Sequence, residues 1–98
     1  MDASDARLLL STHHRLGIPF KYSVLFLLKV EGYPVHQLQK DSRISSPALH
    51  TALSGAHWPN DRLRHCLHDR LGLDPFAWGE QNGAWQCRIP EAKRRRRP

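Results

Sequence analysis

Glycine and proline cut this chain at short intervals: Gly17 and Pro19, Gly32 and Pro34, Pro47 and Gly55, Gly72 and Pro75, then Gly79. Glycine accepts the positive φ that ends a helix. Proline fits a helix's first turn, where its missing N–H loses no bond. Between the cuts, apolar residues recur three and four apart, the spacing of a helix with one buried side. The run "KYSVLFLLKV" is apolar enough for a strand, but no partner strand is visible elsewhere. The pattern therefore predicts an all-α fold of short helices.

The expected elements follow from start and stop signals. Residues 4–16 form a helix capped by Ser4 or Asp5 and stopped by Gly17; residues 21–30 form a second, ending at Gly32. Pro34 opens a short helix in which Val35 and Leu38 recur, interrupted at Asp41, Ser42 and Arg43. Ile44 anchors a turn, and Ser45 is the N-cap of a helix over 46–53, with Pro47 in its first turn and Gly55 as its stop. Asn60 or Asp61 caps a helix carrying Leu63, Leu67 and Leu71. Asp74 and Pro75 start a last one, anchored by Phe76 and Trp78 and ended by Gly79.

Length bounds the organisation: 98 residues, 40% of them hydrophobic, suit one core. The expected division is an N-terminal helix or arm (1–19), a five-helix domain (20–79) and an extended or disordered basic tail (80–98), with Trp85 as a possible docking point for the tail. No apolar run approaches membrane-span length. The start "MDASDAR" lacks a secretory pattern, so a cytoplasmic protein is expected. Cys66 and Cys87 are then expected as thiols, one of them buried in a helix.

Charge is uneven. Fifteen lysines and arginines face nine acids, but Lys93, Arg94, Arg95, Arg96 and Arg97 hold five of the fifteen, leaving ten against nine. The body is nearly neutral, and the basic run is either a solvated tail or a phosphate-binding arm.

Other chemistry finds little support. His65, Cys66 and His68 form the one cluster worth testing for metal, yet Cys66 points away from the histidines and no further ligands complete a set, so no metal and no cofactor are expected. Cys66 and His65 are helix neighbours about 100° apart and cannot act as a dyad. With no nucleophile elbow, phosphate loop or paired carboxylates, the chain is not expected to be an enzyme or to bind a small molecule.

The stretch "YPVHQLQKDSRISSPALHTALSG" resembles the helix-turn-helix of lambda-repressor-like phage and bacterial regulators, of Cro and C1 type. "WPN" with the later "LGLDPFAW" is similar to the closing segment of phage Ner-like members. The resemblance covers roughly residues 20–79 and rests on Leu38, Ile44, Leu49 and Ala52 as the inter-helix core, Ser45 as cap and "ALSG" as exit. Three positions depart from the pattern: Gln39 where a small residue is usual, Ser42 where an apolar one is common, and Arg43 where a glycine opens the turn with positive φ.

The resemblance implies a sequence-specific transcriptional regulator, a phage or mobile-element autorepressor that binds an inverted repeat in double-stranded DNA as a homodimer in a bacterial cytoplasm. The helix over 46–53 would enter the major groove, with Ser46, Pro47, His50 and Thr51 at base edges. Lys40, Arg43, Ser45, His57 and Arg62 would meet the DNA backbone, and the run 93–97 would add sequence-independent affinity. No Arg, Asn or Gln lies on that helix, so direct readout is expected to be modest. Protonated His50 and His57 would make binding pH-dependent. Dimer contacts are expected from Phe76 and Trp78 or from Leu8, Leu9 and Leu10. The alternative is a protein-interaction module, an antitoxin or inhibitor, that keeps the fold without reading DNA.

Overall fold

The computed structural model describes residues 1–90, and among them the chain forms six α-helices and no strand. These are α1 (Ala3–Arg15), α2 (Phe20–Glu31), α3 (Val35–Ser42), α4 (Ser46–Leu53), α5 (Asp61–Leu71) and α6 (Pro75–Asn82). The expected five-helix domain is corrected to six helices around one core, because α1 is part of the body: Ala6 and Leu10 are buried against it. No helix among the described residues is long and apolar enough to cross a membrane.

Capping explains most boundaries. Asp2, not Ser4 or Asp5, starts α1, accepting from the Asp5 N–H at 2.9 Å. Ser45 caps α4 by accepting from Ala48 N at 3.2 Å, and Asn60 caps α5 by accepting from Leu63 N at 2.6 Å. Each such bond satisfies a backbone donor that the first helical turn leaves unpaired. Asp74 does the same for α6, accepting from Phe76 N at 2.9 Å, and its other carboxylate oxygen accepts from Arg64 Nε at 2.6 Å, which joins α5 to α6.

Two helices run past their expected ends. In α3, Asp41 and Ser42 stay helical because each has a partner. Buried Ser42 donates its hydroxyl to Leu38 O at 2.5 Å, and Asp41 accepts from Tyr33 and Gln37. In α6, Gly79 is not the stop; the helix ends at Gly83, whose φ is 70°. Gly79 is buried because the chain folds back there: a Cβ on it would lie 2.6 Å from Trp85 Cβ and 3.0 Å from Phe20 Cε1.

α2 packs against α1, α4 and α5, and α5 packs in turn against α3 and α6. The core between them takes Val24, Leu27 and Leu28 from α2, Leu49 and Leu53 from α4, and Leu63, Leu67 and Leu71 from α5. An aromatic group closes one end: Phe76 and Trp85 meet edge to face with centroids 5.1 Å apart, flanked by Phe20 and Trp58.

The segment expected as a tail divides. Residues 83–90 lie on the body, with Trp85 and Cys87 buried, while the basic run 93–97 falls outside the described residues. Three bonds tie this segment down: Trp85 Nε1 donates to Ala52 O at 2.9 Å, Arg88 N to Gly55 O at 2.8 Å, and Trp58 Nε1 to Ile89 O at 3.1 Å. The crossing is close enough that a Cβ on Gly55, whose φ is 85°, would sit 2.3 Å from Gln86 O. Both cysteines are free thiols, Cys66 half-buried on α5. The buried one is Cys87, which lies outside any helix.

Candidate nucleic-acid interface

The connection between α3 and α4 is three residues, 43–45, and its geometry resolves the departure at Arg43. Arg43 takes φ 54° and ψ 46°, the one non-glycine with positive φ among the described residues. Its N–H donates to Lys40 O at 3.4 Å and the Ile44 N–H donates to Gln39 O at 3.1 Å. That pair of bonds is the Schellman arrangement, normally built with glycine at the left-handed position. Here an L-residue holds it, at a cost of roughly 1–2 kcal/mol. The other two departures are absorbed differently: Ser42 is buried with its hydroxyl bonded, and Gln39 stays half-buried.

α3 is itself held to α5 by a polar cluster. Buried Tyr33 donates to Asp41 at 2.5 Å, Gln37 Nε2 donates to the other oxygen at 2.7 Å, and the Arg70 guanidinium sits 4.2 Å above the Tyr33 ring. The hydrogen bond from Tyr33, then that from Gln37, hold the Asp41 carboxyl below its ordinary value. Burial, with Asp41 beside it, pushes the Tyr33 hydroxyl well above its own.

α4 buries Leu49, Ala52 and Leu53. At 100° per residue, Pro47 and Thr51 stand opposite that face with His50 and Ser54 beside them, while Ser46, seven residues before Leu53, is in register with the buried face and is exposed in the first turn. Ser45, Ser46 and Pro47 are exposed, and His50 and Thr51 are half-buried. The structure thus leaves the four expected base-contact residues at the surface of α4.

The expected backbone contacts do not all gather. Arg43, Ser45 and His57 line one cleft with Thr51, Trp58 and Asn60. Lys40 is exposed on α3, and Arg62 is exposed in the first turn of α5, both outside that lining. Sequence reasoning missed His36, exposed one turn before Lys40 on α3, and Arg88, exposed beside the exit of α4. His36 was legible from its spacing of four from Lys40. Arg88 was not, because its place depends on the fold-back at Gly83. Trp58, named in the sequence only within the resembling segment "WPN", forms a wall of the cleft.

Among the expected dimer contacts, the surface is corrected for Phe76, Trp78 and Leu10, which are buried in the core, while Leu9 is half-buried and Leu8 is exposed. The other exposed large apolar side chains are Leu16, Tyr22, Phe26 and Val30. Tyr22, Phe26 and Val30 recur every four residues along α2 and form one stripe.

Among the described residues no three His, Cys, Asp or Glu side chains converge as a metal site. Comparison with protein families, with curated proteins and with solved structures finds no match for this chain.

Proposed function

We propose that this protein is a sequence-specific DNA-binding transcriptional regulator of lambda-repressor-like helix-turn-helix type, an autorepressor of a phage or mobile element that binds an inverted repeat as a dimer. In this reading α3, the turn at Arg43 and α4 are the motif, and α4 enters the major groove by its N-terminal turn.

The observation that carries it is the division of α4 into two faces. Leu49, Ala52 and Leu53 hold the helix to the body, while Ser46, Pro47, His50 and Thr51 reach the surface, Thr51 in the same cleft as Arg43 and His57. The strained turn at Arg43 adds support. A cation kept in a conformation that glycine would adopt freely is the kind of local expense found at binding sites. The bond from Trp58 Nε1 to Ile89 O ties Ile89 to a residue that lines the same cleft. In this reading the five charges of the run 93–97 also act on DNA. Those charges would add affinity for phosphate without regard to sequence.

The dimer would draw on the stripe Tyr22, Phe26 and Val30. The same stripe also favours the second reading, a protein-interaction module such as an antitoxin or inhibitor, because an exposed apolar row on a nearly neutral body suits a protein partner.

Selection of bound fragments from a random genomic pool separates the two. The regulator enriches fragments holding an inverted repeat, still does so with residues 93–97 removed, and binds less tightly as salt rises. Binding that vanishes with the run 93–97 and shows no sequence preference overturns the regulator.

A further inference from the structure

Hydrogen bonds within α4 already decide which outward groups can donate and which can only accept. His50 Nδ1 is buried with no hydrogen-bond partner, while the residue as a whole remains partly exposed and its Nε2 is not among the buried, unpartnered atoms. A neutral imidazole carries its proton on one nitrogen. An N–H buried without an acceptor is a rarer and dearer arrangement than a buried acceptor without a donor. The lower-cost arrangement leaves Nδ1 bare and puts the proton on Nε2.

Thr51 is fixed in the opposite sense. Its hydroxyl proton is used in the bond to Ala48 O at 2.9 Å, and that of Ser54 in the bond to Thr51 O at 3.1 Å, so both oxygens can only accept from outside.

We propose that His50 is a specificity-determining donor on α4. Its Nε2–H selects a base edge that offers an acceptor, which in the major groove means N7 of a purine, O6 of guanine or O4 of thymine, and rejects the cytosine amino group. Beside it, Thr51 and Ser54 select the amino groups of adenine or cytosine. The inference rests on the regulator reading and deepens it, since it names base types for a helix that lacks the usual strong readers.

The test has two arms on the full chain. Nitrogen-15 spectra of the histidine-labelled free protein, at a pH where imidazole is neutral, report the tautomer of His50 without any DNA; the proton is expected on Nε2, and finding it on Nδ1 overturns the inference. In the second arm, fragments are selected with the native protein, His50→Gln, which keeps a donor at about the same reach, and His50→Leu, which does not. The native chain and His50→Gln share a preference for an acceptor-bearing base at one position in each half-site. His50→Leu loses it, with about a tenfold drop for the preferred base.

Where the preferred base is adenine, whose only major-groove acceptor is N7, replacing that N7 by carbon weakens the native protein by a similar factor and leaves His50→Leu unchanged. That probe needs no altered protein. An unchanged preference in His50→Leu overturns the inference while leaving the regulator standing. Failure of the native chain to select any fragment overturns both.

Discussion

Trp85 Nε1 donates to the carbonyl oxygen of Ala52 at 2.9 Å, so a residue beyond the last helix completes the last turn of α4. The Ala52 carbonyl is buried and also accepts from the Gly55 N–H at 3.2 Å, so the indole is a second donor to the same oxygen. Trp85→Phe keeps the aromatic packing against Phe76 and removes only the donor. It is expected to lower stability by about 0.5–1.5 kcal/mol, the net contribution of one hydrogen bond, since the Gly55 N–H still donates to the same oxygen. Trp85→Ala also empties the aromatic cluster and is expected to lose about 3–5 kcal/mol. Urea unfolding measures both, and an unchanged stability in Trp85→Phe would show that the hydrogen bond contributes nothing.

Arg43 sets stability against function at one residue. Arg43→Gly relieves the left-handed conformation and is expected to raise stability by about 1 kcal/mol. The same change removes a cation from the cleft beside α4, so DNA affinity falls and the slope of log affinity against log salt shrinks by about one. Arg43→Lys keeps the charge and the strain and alters neither much. Thermal melts and salt titrations check the pair, and a rise in stability with unchanged binding would remove Arg43 from the interface.

Gly79 reverses an ordinary expectation. A glycine replaced by alanine inside a helix normally gains about 1 kcal/mol. Here the added methyl would meet Trp85 Cβ at 2.6 Å and Phe20 Cε1 at 3.0 Å, so Gly79→Ala is expected to destabilise. A higher melting temperature for this variant would mean that residues 84 and 85 do not pass over α6 as described.

The Tyr33 and Asp41 pair makes stability depend on acid. Hydrogen bonds lower the Asp41 carboxyl in the folded state, so its contribution is complete above the unfolded carboxylate value of about 4. The contribution is lost as pH falls through the lower folded value. Asp41→Asn removes that dependence. The stability gap between native protein and variant is expected to be widest near neutrality and to close as pH falls below about 4. Chemical unfolding at several pH values reads the gap, and a constant gap would show that the carboxylate charge is irrelevant.

The helices were legible because their signals are local. Glycine and proline positions, apolar spacing and the caps Ser45, Asn60 and Asp74 act within one turn, and these elements stand where that chemistry places them. What failed depends on distant chain. Gly79 reads locally as a stop, and only the return of Trp85 makes it a packing position. Phe76 and Trp78 read as a free apolar surface until that same segment and α1 cover them. In the candidate site, Ser46, Pro47, His50 and Thr51 were legible as surface residues of one helix. The cleft joining Thr51 to His57, Trp58 and Asn60 was not, since it needs the loop before α5 to fold against α4.

The α2 stripe bears on assembly. If a second copy covers Tyr22, Phe26 and Val30, then Phe26→Asp places a carboxylate in an apolar contact and shifts the protein toward monomer. Sedimentation over a range of concentrations would show the shift. A native chain that stays monomeric throughout would instead leave the stripe to a different protein.

The central claim is that the outward face of α4 reads DNA, and affinity measured on one selected fragment and on a scrambled one tests it most directly. The double variant Ser46→Ala, His50→Ala is compared with the native chain at low and at physiological salt. The expected result is that the native chain prefers the selected fragment at both salts. The double variant should bind the two fragments alike, with its salt dependence retained. Full preference retained by the double variant would contradict the claim and move recognition away from α4.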